Sequence, residues 1–399
     1  MAVSTTSVLA SHILELLHRA GHTAYLVGGC VRDLLLDRPA KDFDIATSAP
    51  PAELLRLFPG AGIVGAHFGV VLVKDGEATV EVATFRSDHA YRDGRRPEAV
   101  TFETDPRRDA LRRDFTINAM MMDPRSGAVL DFAGGRGDLA AKVIRTVGDP
   151  IDRFGEDHLR LLRAARFAAR LGFEIEEATF TAMQALAPLI RSVSTERVRG
   201  ELVRILVEGG ARRGVELLRD SGLMAEILPE ATVDVPMLSM LDGLREPSVP
   251  LAVTVLLPNA RADTLERLRF SHDVIERVRE LIANQPRFAR VGAMPVSDLK
   301  RFLRMPDFAD HLELERLRHG ASPEYEFARA KAAEFSHGQL YPPRLITGDD
   351  LIALGMTPGP QFKALLEAIE TEQLEGRITT REEAVRAVVA RGLPPPAAP

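Results

Sequence analysis

The chain has 399 residues, of which 45% are hydrophobic and 27% are charged, as in ordinary globular proteins. This length predicts roughly two to four domains rather than one core. The formal net charge of −6 excludes a uniformly basic surface, but not a local basic patch that binds nucleic acid. The sequence has no run of about 18 apolar residues, so no membrane span is expected. The single cysteine, Cys30, excludes an internal disulfide and suits a reducing cytoplasm.

The N-terminal part is predicted to mix helices and strands. The apolar spacing from Val8 to Ala20 predicts an amphipathic helix, whose charged residues exclude a signal peptide. A strand from Thr23 to Val27, the turn Gly28-Gly29 and a helix from Val31 follow. The other elements predicted here are strands at Lys41–Ala46, Gly69–Val73, Thr79–Thr84 and Val100–Phe102, a helix at Pro51–Phe58 and a polar loop at Arg86–Pro97.

From about Phe154 onward, apolar residues recur at helical spacing, so the rest of the chain is predicted to be almost wholly helical. The predicted fold class is therefore α+β, in which a mixed sheet with helices comes first and an all-α part follows. The segment Leu393–Pro399 consists mostly of proline and alanine and is expected to be disordered.

Two aspartates separated by one residue, Asp42 and Asp44, are the most informative feature of the sequence. Side chains alternate along a strand, so both carboxylates are expected on one face, with Phe43 directed into the core. Two carboxylates aimed at one point repel each other unless a cation lies between them. Mg²⁺ prefers oxygen ligands, and the phosphates of a substrate often complete its coordination shell. The pattern predicts a magnesium site for a nucleoside triphosphate, and the alternative is an ordinary pair of acids on a strand edge.

Two neighbouring features strengthen this prediction. The turn Gly28-Gly29, followed by Arg32 and Asp33, can present backbone N–H groups to a phosphate at the start of a helix. Two-metal phosphoryl transfer also favours a third acid. Glu81 is the candidate because it is an acid flanked by valines on a predicted strand. The alternative for Glu81 is a solvent-facing side chain on a half-buried strand.

The run from Arg112 to Ala119 forms a second candidate segment. The guanidinium forks of Arg112 and Arg113 match phosphate oxygens, and Asp114 can accept a hydrogen bond from a ribose hydroxyl. Asn118 lies on the same face as Asp114 if the run is helical. The alternative is that Asp114 caps a helix while Arg112 is solvated.

A third candidate segment covers residues 153–167. At helical spacing, Asp157, Arg160 and Arg163 fall along one stripe. An aspartate beside an arginine offers an acceptor and a donor fork, which can match the edge of a nucleobase without a nucleic-acid template. Arg163 and Arg166 join the nucleotide-binding candidates because arginine is in local excess here. The alternative is a solvated helix face with a surface ion pair between Asp157 and Arg160.

In this order the motifs resemble those of class II tRNA nucleotidyltransferases of the DNA polymerase beta superfamily, the group of CCA-adding enzymes and bacterial poly(A) polymerases. The resemblance is carried by the GG-x-x-RD turn, by Asp42 with Asp44, and by the segments Val82–Arg86, Arg112–Ala119, Gly148–Pro150, Arg153–Phe167 and Ser194–Arg197. It implies a polymerase-beta-like catalytic head at 1–145, a base-reading neck at 146–207, a helical body at 208–335 and a helical, tRNA-contacting tail at 336–392.

The same resemblance implies an enzyme that adds CCA to the 3′ end of tRNA from CTP and ATP. Asp42 and Asp44, with Glu81, would form the catalytic Mg²⁺ site, and Asp157 with Arg160 would select the base. Poly(A) polymerase, CC-adding and A-adding activities are alternatives. An inactive RNA-binding module is another, which the intact acids disfavour. The arginines of the predicted loop at Arg86–Pro97 favour full CCA addition.

A second resemblance covers Leu345 to Ala384, which looks like the C-terminal part of members that also carry a metal-dependent HD phosphohydrolase domain. A working site of that kind needs several His and Asp ligands. Leu256–Asn259 stands where a ligand pair is expected, and His272-Asp273 lacks partner histidines nearby. We therefore expect a degenerate, structural region within 208–335, with His272-Asp273 as the first turn of a helix.

Overall fold

The structure is a computed structural model that describes residues 4–40, 42–63, 69–88 and 100–392. The chain divides into two compact units. The first comprises Met1–Asp242 with Asp263–Ser271, and the second comprises Gly243–Ala262 with His272–Pro399. Within the described ranges, no helix is long and apolar enough to cross a membrane.

Among the described residues, every strand lies in the first unit. In chain order they are β1 (Ala24–Val27), β2 (Asp44–Thr47), β3 (Gly62–Ile63), β4 (Val70–Asp75), β5 (Ala78–Thr84), β6 (Arg86–Asp88), β7 (Val100–Phe102), β8 (Met121–Asp123), β9 (Ala128–Leu130), β10 (Val143–Ile144) and β11 (Glu174–Ile175). One seven-stranded mixed sheet has the order β3-β4-β5-β2-β1-β8-β9, and the remaining described strands pair as β6-β7 and β10-β11.

Helices make up most of the remainder. In chain order they are α1 (Thr5–Arg19), α2 (Gly29–Leu35), α3 (Pro51–Leu57), α4 (Pro106–Leu111), α5 (Gly135–Ala141), α6 (Pro150–Glu156), α7 (Leu159–Leu171), α8 (Glu177–Leu186), α9 (Thr195–Val207), α10 (Ala211–Asp220), α11 (Leu223–Ile227), α12 (Val235–Gly243), α13 (Val249–Leu256), α14 (Ala262–Arg267), α15 (His272–Phe288), α16 (Val296–Leu303), α17 (Phe308–His319), α18 (Pro323–Glu334), α19 (His337–Leu340), α20 (Gly348–Ala353), α21 (Pro360–Leu374) and α22 (Arg381–Gly392). The predicted α+β class is confirmed.

The register of the central strands decides which side chains lie next to each other at Asp44. Strand β2 runs antiparallel to β1, with Asp44 opposite Val27, and parallel to β5, with Asp44 opposite Glu81. Strand β5 alternates buried and less buried positions, which is the pattern of a strand with one covered face. Helix α1 covers part of the sheet because its apolar stripe, which includes Ile13 and Leu17, is fully buried.

Strand β2 begins later than the sequence predicts. It starts at Asp44, so Asp42 and Phe43 precede the strand and the alternation argument does not apply to Asp42. Phe43 is nevertheless buried, at 8% exposure, as expected. The two aspartates are therefore neighbours by chain proximity rather than by strand alternation.

The predicted loop at 86–97 begins as a strand. Residues Arg86–Asp88 form β6, which pairs antiparallel with β7 through the register Arg86 to Phe102. The prediction of a loop at this position is wrong, because pairing with β7 supplies backbone partners that local polarity does not reveal. Residues 89–99, which include most of the predicted loop, lie outside the described ranges, as does Leu393–Pro399.

Two predicted helical runs are interrupted. Helix α4 ends at Leu111, and the chain then extends so that Phe115 bridges Thr146, before a short 3-10 turn at Thr116–Asn118. Asp157 likewise lies between α6 and α7 in an extended conformation, with φ −146° and ψ 104°. Helical spacing therefore does not relate Asp114 to Asn118 or Asp157 to Arg160.

The second unit is helical in its described part. One core cluster surrounds Phe288 and Phe302, and another surrounds Ile346 and Leu351. His272 begins α15, as predicted for the first turn of a helix. The four-part division into head, neck, body and tail stays a prediction.

His311, in α17, is a buried histidine with 2% exposure whose Nδ1 has no hydrogen-bond partner among the described residues. Burial, reinforced by the positive charge of Arg287, lowers the pKa of His311 to about 4. As the pH falls, His311 therefore binds a proton near pH 6.5 in the unfolded chain but only near pH 4 in the folded chain.

We predict that acidification from about pH 7.5 to about pH 5 removes about 2 kcal/mol of stability through His311 alone. Denaturant unfolding of the wild type and of His311→Gln at the two pH values measures this difference. The variant should lose less stability on acidification than the wild type. Equal losses in the two proteins would contradict the assignment.

Candidate active site

Three carboxylates lie close together on and beside two central strands of the sheet. Asp44 is half-buried at the start of β2, Glu81 is exposed opposite it on β5, and Asp42 is exposed just before β2. Burial and then the charge of Glu81 raise the pKa of Asp44 to about 6. Arg113 opposes this rise, whereas Asp42 adds to it. The structure thus brings together the three acids that the sequence predicts.

The excess negative charge around Asp42, Asp44 and Glu81 fits a divalent cation. Above about pH 6 the ionised Asp44 carboxylate destabilises the folded state, and a cation between the acids would reverse that effect. Within the described residues, no three His, Cys, Asp or Glu side chains gather closely enough to enclose an ion by themselves. The residues present therefore fit an ion that is held by one or two carboxylates and completed by a phosphate-bearing substrate.

Gly28 brings backbone close to the acids. It has φ +75°, and a Cβ there would lie 3.1 Å from Arg113 Nη1 and 3.8 Å from Asp44 Oδ2. Only glycine combines this left-handed conformation with such a close approach at low cost. Gly29 begins α2 directly afterwards. The turn therefore lies next to both the Arg113 guanidinium and the Asp44 carboxylate.

The two arginines before Asp114 are gathered by an acid that the motif analysis missed. Asp109 is fully buried, and its carboxylate accepts from Arg112 Nε at 2.9 Å and from Arg113 Nη2 at 3.2 Å. The one signal in the sequence is the position of Asp109 three and four residues before the two arginines, which lie just beyond the end of α4.

A hydrogen-bond chain links five of the predicted residues. Arg32 is 3% exposed and donates from Nε to Asp33 Oδ1 at 2.8 Å and from Nη1 to Asn118 Oδ1 at 2.9 Å. Asn118 donates from Nδ2 to Asp114 Oδ1 at 3.3 Å, and Asp114 Oδ2 accepts from Arg163 Nε at 2.8 Å. Tertiary contact, and not helical spacing, brings these side chains together.

Asp114 stays ionised within this series of hydrogen bonds. Burial alone would raise its pKa, but the charge and hydrogen bonds of Arg163 hold the pKa at about 2. Asp114 Oδ1 also accepts from the N–H of Phe115 at 2.8 Å. Both oxygens therefore already accept hydrogen bonds, so a ribose hydroxyl at Asp114 would have to share them.

Phe167 lies at the centre of three guanidinium groups. The Cζ atoms of Arg32 and Arg163 are each 5.3 Å from the ring centroid, and that of Arg166 is 4.3 Å away. Arg166 is buried and donates to Glu201 Oε2 at 2.6 Å. Its contacts are those of a structural ion pair, and its predicted contact with nucleotide stays a prediction.

Asp157 and Arg160, predicted to act as a pair, have separate partners. Asp157 Oδ1 accepts from the N–H of Leu159 at 3.1 Å, and Oδ2 accepts from Arg197 Nη2 at 2.8 Å. Arg160 bonds with Glu156 and donates to the carbonyl oxygens of Arg153 at 2.8 Å and Arg112 at 3.3 Å. Arg197 belongs to a segment that carried the family resemblance, but sequence reasoning assigned it no role.

A mixed sheet that carries adjacent acids beside a glycine turn, followed by helices, defines a nucleotidyltransferase of the polymerase type. Residues 24–145 match the family model of the poly(A) polymerase head domain. Residues 172–234 match the model described as the probable RNA and SrmB- binding site of polymerase A. The nucleotidyltransferase family implies the use of a divalent metal.

Comparison with known proteins narrows this class. The chain is 34% identical to the CCA-adding enzyme of Streptococcus pneumoniae serotype 19F over 94% of its length and 95% of that enzyme. It is 39% identical to the CCA-adding enzyme of Bacillus velezensis over 72% of its length and 74% of that enzyme. The crystal structure of the Bacillus stearothermophilus CCA-adding enzyme in complex with CTP matches it with a TM-score of 0.82 at 31% identity, covering 97% of this chain and 98% of that one. The chain therefore belongs to the family of CCA-adding enzymes, which confirms the resemblance carried by its motifs.

We predict that Gly28→Ala lowers the rate of nucleotide transfer by at least about tenfold, because the new Cβ displaces Arg113. A tenfold loss corresponds to about 1.4 kcal/mol of lost transition-state stabilisation. Gly76→Ala is the matched control, since Gly76 also has a positive φ of +57° but no atom within 4 Å of its Cβ position. Transfer assays with both variants check this, and an equal loss in both would show that backbone strain alone is responsible.

Proposed function

We propose that this protein adds CCA to the 3′ end of tRNA, using CTP and ATP and releasing pyrophosphate. The observation that carries the proposal is the meeting of Asp44, Glu81, Gly28 and Arg113 beside the central strands β2 and β5. The chain that holds them aligns over nearly its whole length with CCA-adding enzymes. One related enzyme has been crystallised in complex with CTP. A protein of this kind would act in the cytoplasm, where its free, buried Cys30 stays reduced.

The acids would hold Mg²⁺, with Asp42 and Asp44 as ligands and Glu81 beside them. When bound, Mg²⁺ lowers the pKa of the RNA 3′ hydroxyl and neutralises charge that develops on the leaving pyrophosphate. Asp44 is available as an anionic ligand above about pH 6, where it has lost its proton.

The triphosphate would lie against the turn Gly28-Gly29. Backbone N–H groups there and the donors of Arg113 suit phosphate oxygens. Arg32 is buried and donates hydrogen bonds to Asp33 and Asn118. It would therefore help to place the triphosphate through these two neighbours as much as by direct contact. The ribose would be placed near Asp114 and Asn118, whose positions Arg163 fixes.

The base would be read by Asp157 and Arg160. A carboxylate acceptor and a guanidinium donor can match the hydrogen-bonding edges of C and A. In the structure Asp157 is held by Arg197 and Arg160 by Glu156 and backbone carbonyls, so reading a base requires these side chains to exchange or share partners. Their present contacts keep both side chains ordered before a nucleotide arrives.

Poly(A) polymerase is the second candidate, because the model that matches residues 24–145 describes the head of that enzyme. CC-only and A-only addition share the same acids and differ in when addition stops. An inactive RNA-binding module is disfavoured by the three acids that the fold brings together.

We predict that the wild type, given Mg²⁺, CTP and ATP, extends tRNAs that end before or within CCA and stops after CCA. Labelled-nucleotide incorporation into tRNAs ending before, within and after CCA measures this. An unlimited A-tail would instead identify a poly(A) polymerase. RNA binding without incorporation would overturn the proposal.

Asp44→Asn should lower transfer about 1,000-fold, because it removes an anionic metal ligand at the reacting phosphate, while tRNA affinity stays within about twofold. Asp75→Asn, at the exposed end of β4, is the control and should leave transfer unchanged. Turnover near that of the wild type in Asp44→Asn would show that the metal assignment is wrong.

Arg160→Ala should weaken the choice between C and A, because it removes the donor fork from the base-reading pair, and each lost base contact is worth about 1–3 kcal/mol of discrimination. Arg170→Ala, at the end of the same helix, serves as the control. Misincorporation at each of the three added positions, measured by sequencing the products, tests this. Unchanged selectivity would remove Arg160 from base reading.

A further inference from the structure

One buried carboxylate holds both arginines of the segment that precedes Asp114. Asp109, in α4, is fully buried. Its Oδ1 accepts from Arg112 Nε at 2.9 Å and Nη2 at 2.7 Å, and its Oδ2 accepts from Arg113 Nη2 at 3.2 Å. Each carboxylate oxygen therefore faces a different guanidinium group.

The local backbone by itself does not hold the two arginine side chains together. Helix α4 ends at Leu111, Arg112 is its C-cap, and the chain is extended by Phe115. Two consecutive side chains at a helix end diverge unless a third group gathers them. Asp109 is three and four residues earlier on the helix, which is the spacing at which it reaches both.

Asp109 is itself fixed and stays charged. Its Oδ1 also accepts from the backbone N–H of Arg86 at 3.4 Å, at the first residue of β6. Burial alone would raise the pKa of Asp109, but the charges of Arg112 and then Arg113 hold it below its usual value. The carboxylate is thus a fixed anion between a helix and a strand.

The free side of Arg113 faces the nucleotide site. Its Nη1 lies 3.1 Å from the position of a Cβ on Gly28, and its charge lowers the pKa of Asp44. Its Nε is buried and has no hydrogen-bond partner among the described residues. With Nη2 committed to Asp109, the remaining donors of Arg113 are ordered in advance of a ligand.

We propose that Asp109 is a positioning residue that fixes Arg113 for the triphosphate of the incoming nucleotide, whichever base that nucleotide carries. This inference rests on the proposed function. Asp109 acts only through the guanidinium that it holds, so its effect must be the same for CTP and ATP and must disappear when Arg113 is removed.

The test is a double-mutant cycle with Asp109→Asn and Arg113→Ala. Asp109→Asn should raise KM for both CTP and ATP about tenfold while KM for tRNA stays within about twofold. In the Arg113→Ala background, the same change should alter these constants by less than about twofold. Glu103→Gln is the control, because Glu103 accepts from Arg108 of the same helix at 3.0 Å but lies outside the nucleotide site.

Several results would overturn the inference: an equal loss in both backgrounds, a loss for only one of the two nucleotides, or no loss at all. If thermal melting shows that Asp109→Asn does not fold, Asp109→Glu takes its place in the cycle, since it keeps the charge but moves it by one methylene. A wild type that adds neither CMP nor AMP to tRNA would refute the proposed function, whereas an active wild type with an additive cycle would refute only the role of Asp109.

Discussion

The hydrogen bonds to the buried carboxylate of Asp114 are the interaction on which the arrangement of the predicted nucleotide-binding residues in the first unit depends. It accepts hydrogen bonds from Arg163, on α7, and from Asn118, which in turn holds Arg32 behind the glycine turn. Removing one partner of a buried ion pair costs about 3–5 kcal/mol, because the other charge is left uncompensated. The turn Gly28-Gly29 and the helix that carries Arg160 are therefore set in place by the same buried charge.

The candidate site contrasts with this balanced interior. Beside the central strands β2 and β5, Asp44 lies near Glu81 and Asp42, and its pKa rises to about 6 because burial and like charges disfavour the anion. Arg113 compensates only in part, since its Nη2 is drawn toward Asp109. Negative charge thus remains uncompensated where a divalent cation and a triphosphate would bring the missing positive charge and the missing ligands.

The residue types of the candidate site could be read from the sequence, but most of their contacts could not. Asp42 and Asp44 stand out as two acids separated by one residue, and Glu81 stands out as an acid between two valines on a predicted strand. The parallel pairing of β2 with β5 does bring Asp44 and Glu81 side by side. Helical spacing, which the sequence suggested for Asp157 with Arg160 and conditionally for Asp114 with Asn118, does not relate either pair. The bridge from Phe115 to Thr146 and the extended backbone at Asp157 are set by tertiary contacts. The partners Asp109 and Arg197 were missed for the same reason, since spacing alone does not show which acid an arginine chooses.

The most direct measurement is a crystal structure of the chain with Mg²⁺ and a non-hydrolysable analogue of CTP. The predicted result is a triphosphate in contact with the turn Gly28-Gly29 and Arg113, a cation on Asp42 and Asp44, and the cytosine edge on Arg160 and on an Asp157 that shares or releases Arg197. A nucleotide bound away from Arg113, or one bound with no contact to Asp157 and Arg160, would contradict the central claim that one preformed network places both the phosphates and the base.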